Sequence, residues 1–433
     1  MQFFTNISFA PGERHYDSPD YLPASAAPAA EPKSMQAIWP DYFARRGAPD
    51  ATSWHYRGHW RDCLNVWCAY YGFMLRHPRM AFWGLRQFFH TLVYRVFGET
   101  IGDRSELTLT VITPLLIVMT PPLALAAVCI ASLPVCKKHM PPMFRPFTVA
   151  GWANYCIMLA LVFTLHGCRQ RRRRIHPALP MRHSSKLFWN QFFAAELPAH
   201  QSATHIYAVC RRGNLEGQLP PDDILIKPVA AGGGHRLRSL RWDTVRGIYI
   251  NGDAERGAHE PAQFTPRELE QHLSGAGVDM LVERLERART PLPVSTLRVL
   301  TLCADTQVEL ICAAFLPAPA GSVSTAYFDL DTYLVDYEKQ SIGEPLSPHS
   351  DKRLQGLPIP ELTGIIRTCL HLHARLSEHV QISWDIIPAD RGPVFLEGNV
   401  FPPGCDYKLT LFKTPANFRY LRDRIVMAER GMP

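Results

Sequence analysis

From Leu107 to Cys136 the chain carries no charged side chain, and from Pro146 to Cys168 it again carries none. No other feature limits so strongly what this sequence can become. A helix of about 20 apolar residues crosses a bilayer core, and both runs reach that length. The segment between them, CKKHMPPMFR, is too short to form a domain. The expectation is a two-helix transmembrane hairpin over residues 105–168. Two buried core helices are the alternative, disfavoured by runs this long and this free of charge. Pro114, Pro121 and Pro122 fall within the first span and would kink or break it.

Arginine placement orients the hairpin. Arg169 and then Arg171, Arg172, Arg173 and Arg174 follow the second run directly, and Arg76, Arg79, Arg86, Arg95 and Arg104 precede the first. The connecting loop has only Lys137, Lys138 and Arg145. By the positive-inside rule both termini face the cytoplasm, at an inner (cytoplasmic) membrane. A basic run abutting a span is read as a contact with anionic membrane lipids, with no nucleic acid partner, and the net charge of +7 needs no further explanation. The opening MQFFTNISFAPGERH lacks the basic start and apolar core of a signal peptide. Eleven cysteines stand singly, without a C-x-x-C pair, which reads against a zinc cluster or a disulfide framework.

Residues 1–54 form an irregular head, and the Pro/Ala/Ser-rich part, 14–35, is expected to be disordered. Residues 55–104 mix Trp, Tyr and Phe with Arg, suiting helices at a lipid–water interface; a packed soluble helical pair is the alternative. From 175 to 433 short β-rich runs (THIYAVC, DDILIKPV, GIYING, TLRVLTLC, VELICAAFL, ISWDII, PVFLEGN) alternate with helical stretches. The clearest helix is TPRELEQHLSGAG, where Thr265 is the N-cap and Glu268 stands at N3. A second is PELTGIIRTCLHLHARLSEHV. No internal repeat is visible.

Within this region the stretch 382–399, ISWDIIPADRGPVFLEGN, reads as a β-hairpin around a Pro-Ala-Asp-Arg-Gly turn. Glu397 and Asn399 stand two apart on the second strand and share a face. Asp385, on the first strand, lies far enough from the turn to come opposite them. Two carboxylates and an amide oxygen make a hard, all-oxygen set suited to Mg²⁺ carrying phosphates. An ordinary amphipathic hairpin with a polar outer face is the bland alternative. Upstream, residues 222–237 (DDILIKPVAAGGGHRL) place Lys227 at the end of a β-run, five residues before Gly232, Gly233 and Gly234. Glycines free the backbone to approach a ligand and aim N–H groups at phosphate oxygens. The P-loop and dinucleotide fingerprints are absent, as are the protein-kinase signatures. Alone, such a loop also fits a plain flexible turn.

The order of parts is more telling: Lys186 in SSKLFWNQ, Lys227 with its glycine loop, Glu283 in DMLVERL, Thr296 and Arg298 in STLRVLTL, then Asp385, Glu397 and Asn399. Over about residues 180–430 this order resembles the ATP-grasp superfamily, and within it the sugar-transfer-associated, α-L-glutamate-ligase-related branch. The matching text is KLFW, LIKPVAAGGGHRL, LVER, STLRVLTL and WDIIPADRGPVFLEGNVFPPG. The resemblance implies an α+β fold, with two α+β subdomains gripping ATP. It places Lys186 and Lys227 at the nucleotide phosphates and the adenine edge, and Gly232–Gly234 over the β- and γ-phosphates. Glu283 would lie at the hinge near adenine or ribose. Arg298, with Lys227, would serve catalysis by facing the transferred phosphoryl group, and Asp385, Glu397 and Asn399 would hold Mg²⁺.

What it further implies is a membrane-anchored, ATP- and Mg²⁺-dependent ligase of the carboxylate–amine/thiol type, forming a C–N bond through an acyl phosphate. The carboxylate and the amine-type acceptor are unknown, and the branch suggests a link to cell-surface polysaccharide biosynthesis. Two other functions use the same residues: an ATP-binding regulatory membrane module without turnover, and a kinase acting on a sugar or lipid hydroxyl. Most ATP-grasp ligases carry an acceptor-binding N-terminal domain, whose place here is taken by the hairpin and the interfacial region.

Overall fold

The structure, a computed structural model, describes residues 185–229, 238–251, 263–288, 295–304, 307–318, 332–345 and 351–400, with isolated residues elsewhere, His183 among them. The irregular head, the interfacial region, both uncharged runs and the arginine cluster lie outside the described residues, apart from scattered single positions; so does the loop 230–237 with its three glycines. Among the described residues no helix is long and apolar enough to cross a membrane.

The described part is an α+β fold built on two seven-stranded sheets. It opens with helix α1 (Lys186–Glu196). Then come strands β1 (Ser202–Ala203), β2 (Ile206–Arg211), β3 (Asn214–Gly217), β4 (Ile224–Pro228), β5 (Arg238–Asp243), β6 (Ile248–Asn251) and β7 (Gln263–Phe264). Helix α2 (Pro266–Ser274), strands β8 (Met280–Arg284), β9 (Ser295–Ala304), β10 (Gln307–Pro317), β11 (Tyr333–Asp336) and β12 (Ser341–Pro345), and helix α3 (Leu362–Arg375) follow. Strands β13 (Gln381–Ala389) and β14 (Gly392–Asn399) complete it. The first sheet runs β3-β2-β8-β4-β5-β6-β7, and the second β1-β14-β13-β9-β10-β11-β12.

In the first sheet, Ile224, Ile226, Leu240, Val282 and Met280 point to one face and pack with Leu269 and Leu273 of α2. That helix starts as its sequence predicts. Thr265 accepts from the Glu268 amide, and Glu268 accepts from the Thr265 amide, so two donors that no helical carbonyl can reach are both satisfied. In the second sheet the alternation of β13 sets Ile382, Trp384 and Ile386 against α1 and α3, sharing a core with Leu297, Val299 and Phe395. The apolar stripe of α1 explains its docking: Phe188, Trp189, Phe192 and Phe193 are all buried there. The rings of Trp189 and Trp384 meet edge to face at 5.5 Å, a favourable aromatic geometry.

The hairpin read from 382–399 forms as expected, with Pro388 opposite Pro393 and Ala389 opposite Gly392. Gly392 turns at φ 106°, and a Cβ there would lie 2.5 Å from the His200 carbonyl oxygen, so only glycine fits.

The two sheets are tied near one end. The Lys186 amide, at the start of the helix that docks on the second sheet, donates to the Val229 carbonyl just past β4 at 3.0 Å. An isolated bridge joins Ala288 to Ala389. Arg391, beside the hairpin turn, pairs with Glu286, just past β8.

Candidate functional site

The faces not used by these cores carry the charges. On β13 the neighbours of Trp384 are Ser383 and Asp385, and period-2 alternation turns both away from the aromatic core. Cross-strand register then aligns Arg298 of β9 with Asp385, and Asp385 with Glu397 of β14. Arg298 sits between buried Leu297 and Val299 and is thrown onto the same charged face. Its Nε donates to Asp385 Oδ1 at 2.7 Å and its Nη2 to Oδ2 at 2.9 Å, a two-point clamp. Asn399 adds a third donor, Nδ2 lying 3.1 Å from Asp385 Oδ2.

The first sheet supplies the opposing wall. Lys227 is the penultimate residue of β4 and Glu283 lies on the neighbouring β8, both on the face turned away from α2. Lys227 Nζ lies 2.8 Å from Glu283 Oε2, with side chains only 5% and 2% exposed. Between the walls stands Lys186 in the first turn of α1, its Nζ 3.7 Å from Glu397 Oε2. Six charged groups thus form three pairs, each one cation with one anion. By its sequence surroundings Lys186 could equally be a solvated side chain, and Glu283 a surface partner of Arg284 or Arg287. Instead both are buried, Arg284 turns to Tyr207 and Asp222, and Arg287 pairs with Asp223.

Burial and neighbouring charge push these groups in different directions. Desolvation lowers the Lys186 ammonium, against the pull of Glu397. Desolvation likewise raises the Glu283 carboxyl, against the pull of Lys227. For Glu397 burial acts upward too, but Lys186, Lys227 and Arg298 together outweigh it and hold this carboxyl below its ordinary value. So two carboxylates in one cluster are driven apart, the pattern expected where acids have separate jobs. Exposure also differs: the Arg298 and Glu397 side chains are 22% and 24% exposed.

Every predicted site residue within the described part falls into this one cluster: Lys186, Lys227, Glu283, Arg298, Asp385, Glu397 and Asn399. Gly232, Gly233 and Gly234 lie outside the described residues, in the sequence between β4 and β5; those two strands pair, with Ile226 opposite Arg238. Two structural contributors were missed in the sequence. Leu396 is an extra residue in β14, because the register shifts between Asp385 and Ile386; this bulge re-aims Glu397 without disturbing buried Phe395. Gly398, between Glu397 and Asn399, lies under Trp189, and a Cβ there would come 2.6 Å from its ring. A glycine inside a strand is the signal that could have revealed this close approach.

Among solved structures, the chain is similar to an L-amino acid ligase from Bacillus licheniformis at 11% identity and a TM-score of 0.35. The match covers 60% of this chain and 53% of that one. A D-alanine–D-alanine ligase from Bacillus anthracis complexed with ATP matches at 11% identity and TM-score 0.33, covering 57% and 68%. The ATP-grasp ligase PsnB complexed with minimal precursor matches at 13% identity and TM-score 0.32, covering 64% and 69%. The chain therefore spans about half the length of the first. No family model matches the sequence, and no curated protein matches it. With scores this low, function is inferred from the side chains.

Proposed function

We propose that this chain is a Mg²⁺- and ATP-dependent ligase of the ATP-grasp type, with the nucleotide held between the two sheets. The observation that carries it is the convergence of Lys186, Lys227 and Glu283 with Arg298, Asp385, Glu397 and Asn399, which come from separate sheets yet share one buried cluster. The sequence order that resembles ATP-grasp proteins supports the same assignment.

The donor types suit Mg²⁺: Asp385, Glu397 and the Asn399 amide oxygen are hard oxygen ligands on one face of one hairpin, and a cation there would share Asp385 with the Arg298 and Asn399 donors that now hold it. When bound, the cation neutralises phosphate charge. The chain's own groups do the rest. Lys186 and Lys227 point ammonium groups at the phosphate oxygens, and Glu283, 2.8 Å from Lys227 Nζ, holds that buried side chain in place. Arg298, clamped by Asp385 and partly exposed, is placed to stabilise charge on the transferred phosphoryl group. In the reaction, a substrate carboxylate oxygen bonds to the γ-phosphorus as the bond to the β–γ bridging oxygen breaks, releasing ADP. An amine then attacks the acyl carbon, inorganic phosphate leaves, and the amine gives up a proton as the amide forms. Positioning and exclusion of water supply most of the acceleration.

The finer assignments belong to this proposal. The apolar runs anchor the enzyme at the inner face of a membrane with both termini cytoplasmic, and the acceptor belongs to surface-polysaccharide assembly. Incubating the full-length protein with Mg·ATP and a panel of carboxylates and amines tests the chemistry. The expected result is carboxylate-dependent ADP release that disappears when Asp385→Asn is combined with Glu397→Gln. ADP release that survives the double substitution, or none across a wide panel, contradicts it. Tight Mg·ATP binding without ADP would point to the nucleotide-sensing module, and a product heavier by one phosphoryl group to the kinase.

A further inference from the structure

A second cluster lies on the far side of α1's first turn. His183 Nδ1 and His379 Nε2 are 2.7 Å apart. Glu378 Oε1 lies 3.8 Å from His183 Nδ1 and 3.9 Å from His379 Nε2. Both imidazoles are 1% exposed, whereas Glu378 keeps 16% exposure. The three residues come from two places in the chain: His183 just ahead of α1, Glu378 and His379 in the link from α3 to β13.

We propose that His183, Glu378 and His379 bind one borderline-soft divalent transition metal, with Zn²⁺ the best match. The same three atoms define all three distances, and a triangle with those sides has a circumradius of about 2.1 Å. Zinc bonds to histidine nitrogen at about 2.0–2.1 Å and to carboxylate oxygen at about 2.0–2.2 Å. One point in the plane of the three atoms therefore lies at bonding distance from all of them, and an ion there would displace the proton of the His183–His379 hydrogen bond. Two imidazoles and one carboxylate are a recurrent zinc donor set, while Mg²⁺ prefers oxygen alone. This separates the site chemically from the all-oxygen set at Asp385, Glu397 and Asn399.

The surroundings hold the ligands in place. The His183 ring stacks on Phe188 with centroids 4.1 Å apart and planes 9° from parallel. At His379 the backbone is fixed by a buried relay. His373 Nε2 faces the His379 carbonyl at 3.0 Å; a carbonyl only accepts, so Nε2 carries the proton. His373 Nδ1 then accepts from Thr301 Oγ1 at 2.7 Å, and Thr301 in turn accepts from Trp384 Nε1 at 2.9 Å. The relay fixes the backbone from which the His379 imidazole projects. No spacing motif announces the site, because His183 and His379 lie 196 residues apart. An ion there would pin the approach to Lys186 onto the second sheet, whatever the reaction at the cluster beyond.

Full-length protein stripped with a chelator and titrated with Zn²⁺ alone, against a chromophoric competitor, tests this directly. The expected result is one ion per chain, a thermal unfolding midpoint raised by the metal, and both effects reduced at least about tenfold in affinity by Glu378→Gln. Glu378 is partly exposed, so this variant should fold; its circular dichroism checks that it does. Co²⁺ in place of Zn²⁺ should give visible bands without thiolate charge transfer. Failure of the wild-type chain to take up one equivalent overturns the proposal, as does equal affinity in a folded Glu378→Gln protein or a thiolate signature. None of these readouts involves ATP, so they stand or fall apart from the proposed ligase activity.

Discussion

Lys227 and Glu283 show what each side chain of the cluster costs and contributes. Both are almost wholly buried and 2.8 Å apart. Removing one partner strands the other charge away from water, a loss of about 3–5 kcal/mol in such pairs. Lys227→Met should therefore destabilise the protein by that amount in urea unfolding, and adding Glu283→Gln should restore part of it. If the double substitution is as damaging as the sum of the two single ones, the pair is not coupled. Glu397 gives a pH-dependent counterpart. Its carboxyl is held below the ordinary value of 4.5, so its stabilising contribution is complete above pH 4.5 and is lost as pH falls through the folded-state value. Glu283 works in the opposite sense: its raised carboxyl favours the folded state on acidification. Unfolding midpoints between about pH 6 and pH 3 should fall less steeply in Glu397→Gln and more steeply in Glu283→Gln. Unchanged slopes in both would contradict the assigned charges.

At the scale of elements, the short contact between α1 and β14 decides where Lys186 sits. Gly398→Ala pushes a methyl into the Trp189 ring. It should cost about 1–3 kcal/mol, with Trp189→Phe recovering part of the loss; no effect on the unfolding midpoint would show that α1 does not rest there. Thr265→Ala makes a control. It removes a capping box on a helix outside the cluster and should cost about 1 kcal/mol while leaving nucleotide affinity unchanged. These elements differ in how far they could be read in advance. Thr265 and Glu268 declare a helix start locally, and the alternation around Trp384 declares which face of β13 is buried, so the opposition of Asp385 and Glu397 was legible. The bulge at Leu396 was not, because it adds a residue to the strand without changing its apolar character. Nor was the one-to-one pairing of Lys186 with Glu397, which depends on a helix landing on a glycine far along the chain.

At the scale of the whole molecule, the two sheets converge only through long-range pairing. Arg298 and Asp385 are 87 residues apart, and no local pattern states that β9 and β13 are neighbours. The order of charged motifs along the chain supplied that link through resemblance, while composition supplied the proposed membrane anchoring. If the uncharged runs cross a bilayer, the full-length protein should sediment with membranes and resist a high-salt wash, leaving only with detergent; release by salt alone would contradict the anchor. The central claim concerns the cluster between the sheets, and binding tests it without knowledge of the acceptor. Full-length protein titrated calorimetrically with a non-hydrolysable ATP analogue should bind one equivalent only when Mg²⁺ is present. Glu397→Gln should weaken that binding by about tenfold or more, or about 1.4 kcal/mol. Binding that ignores both Mg²⁺ and Glu397→Gln, or no binding at all, would contradict a nucleotide site at this cluster.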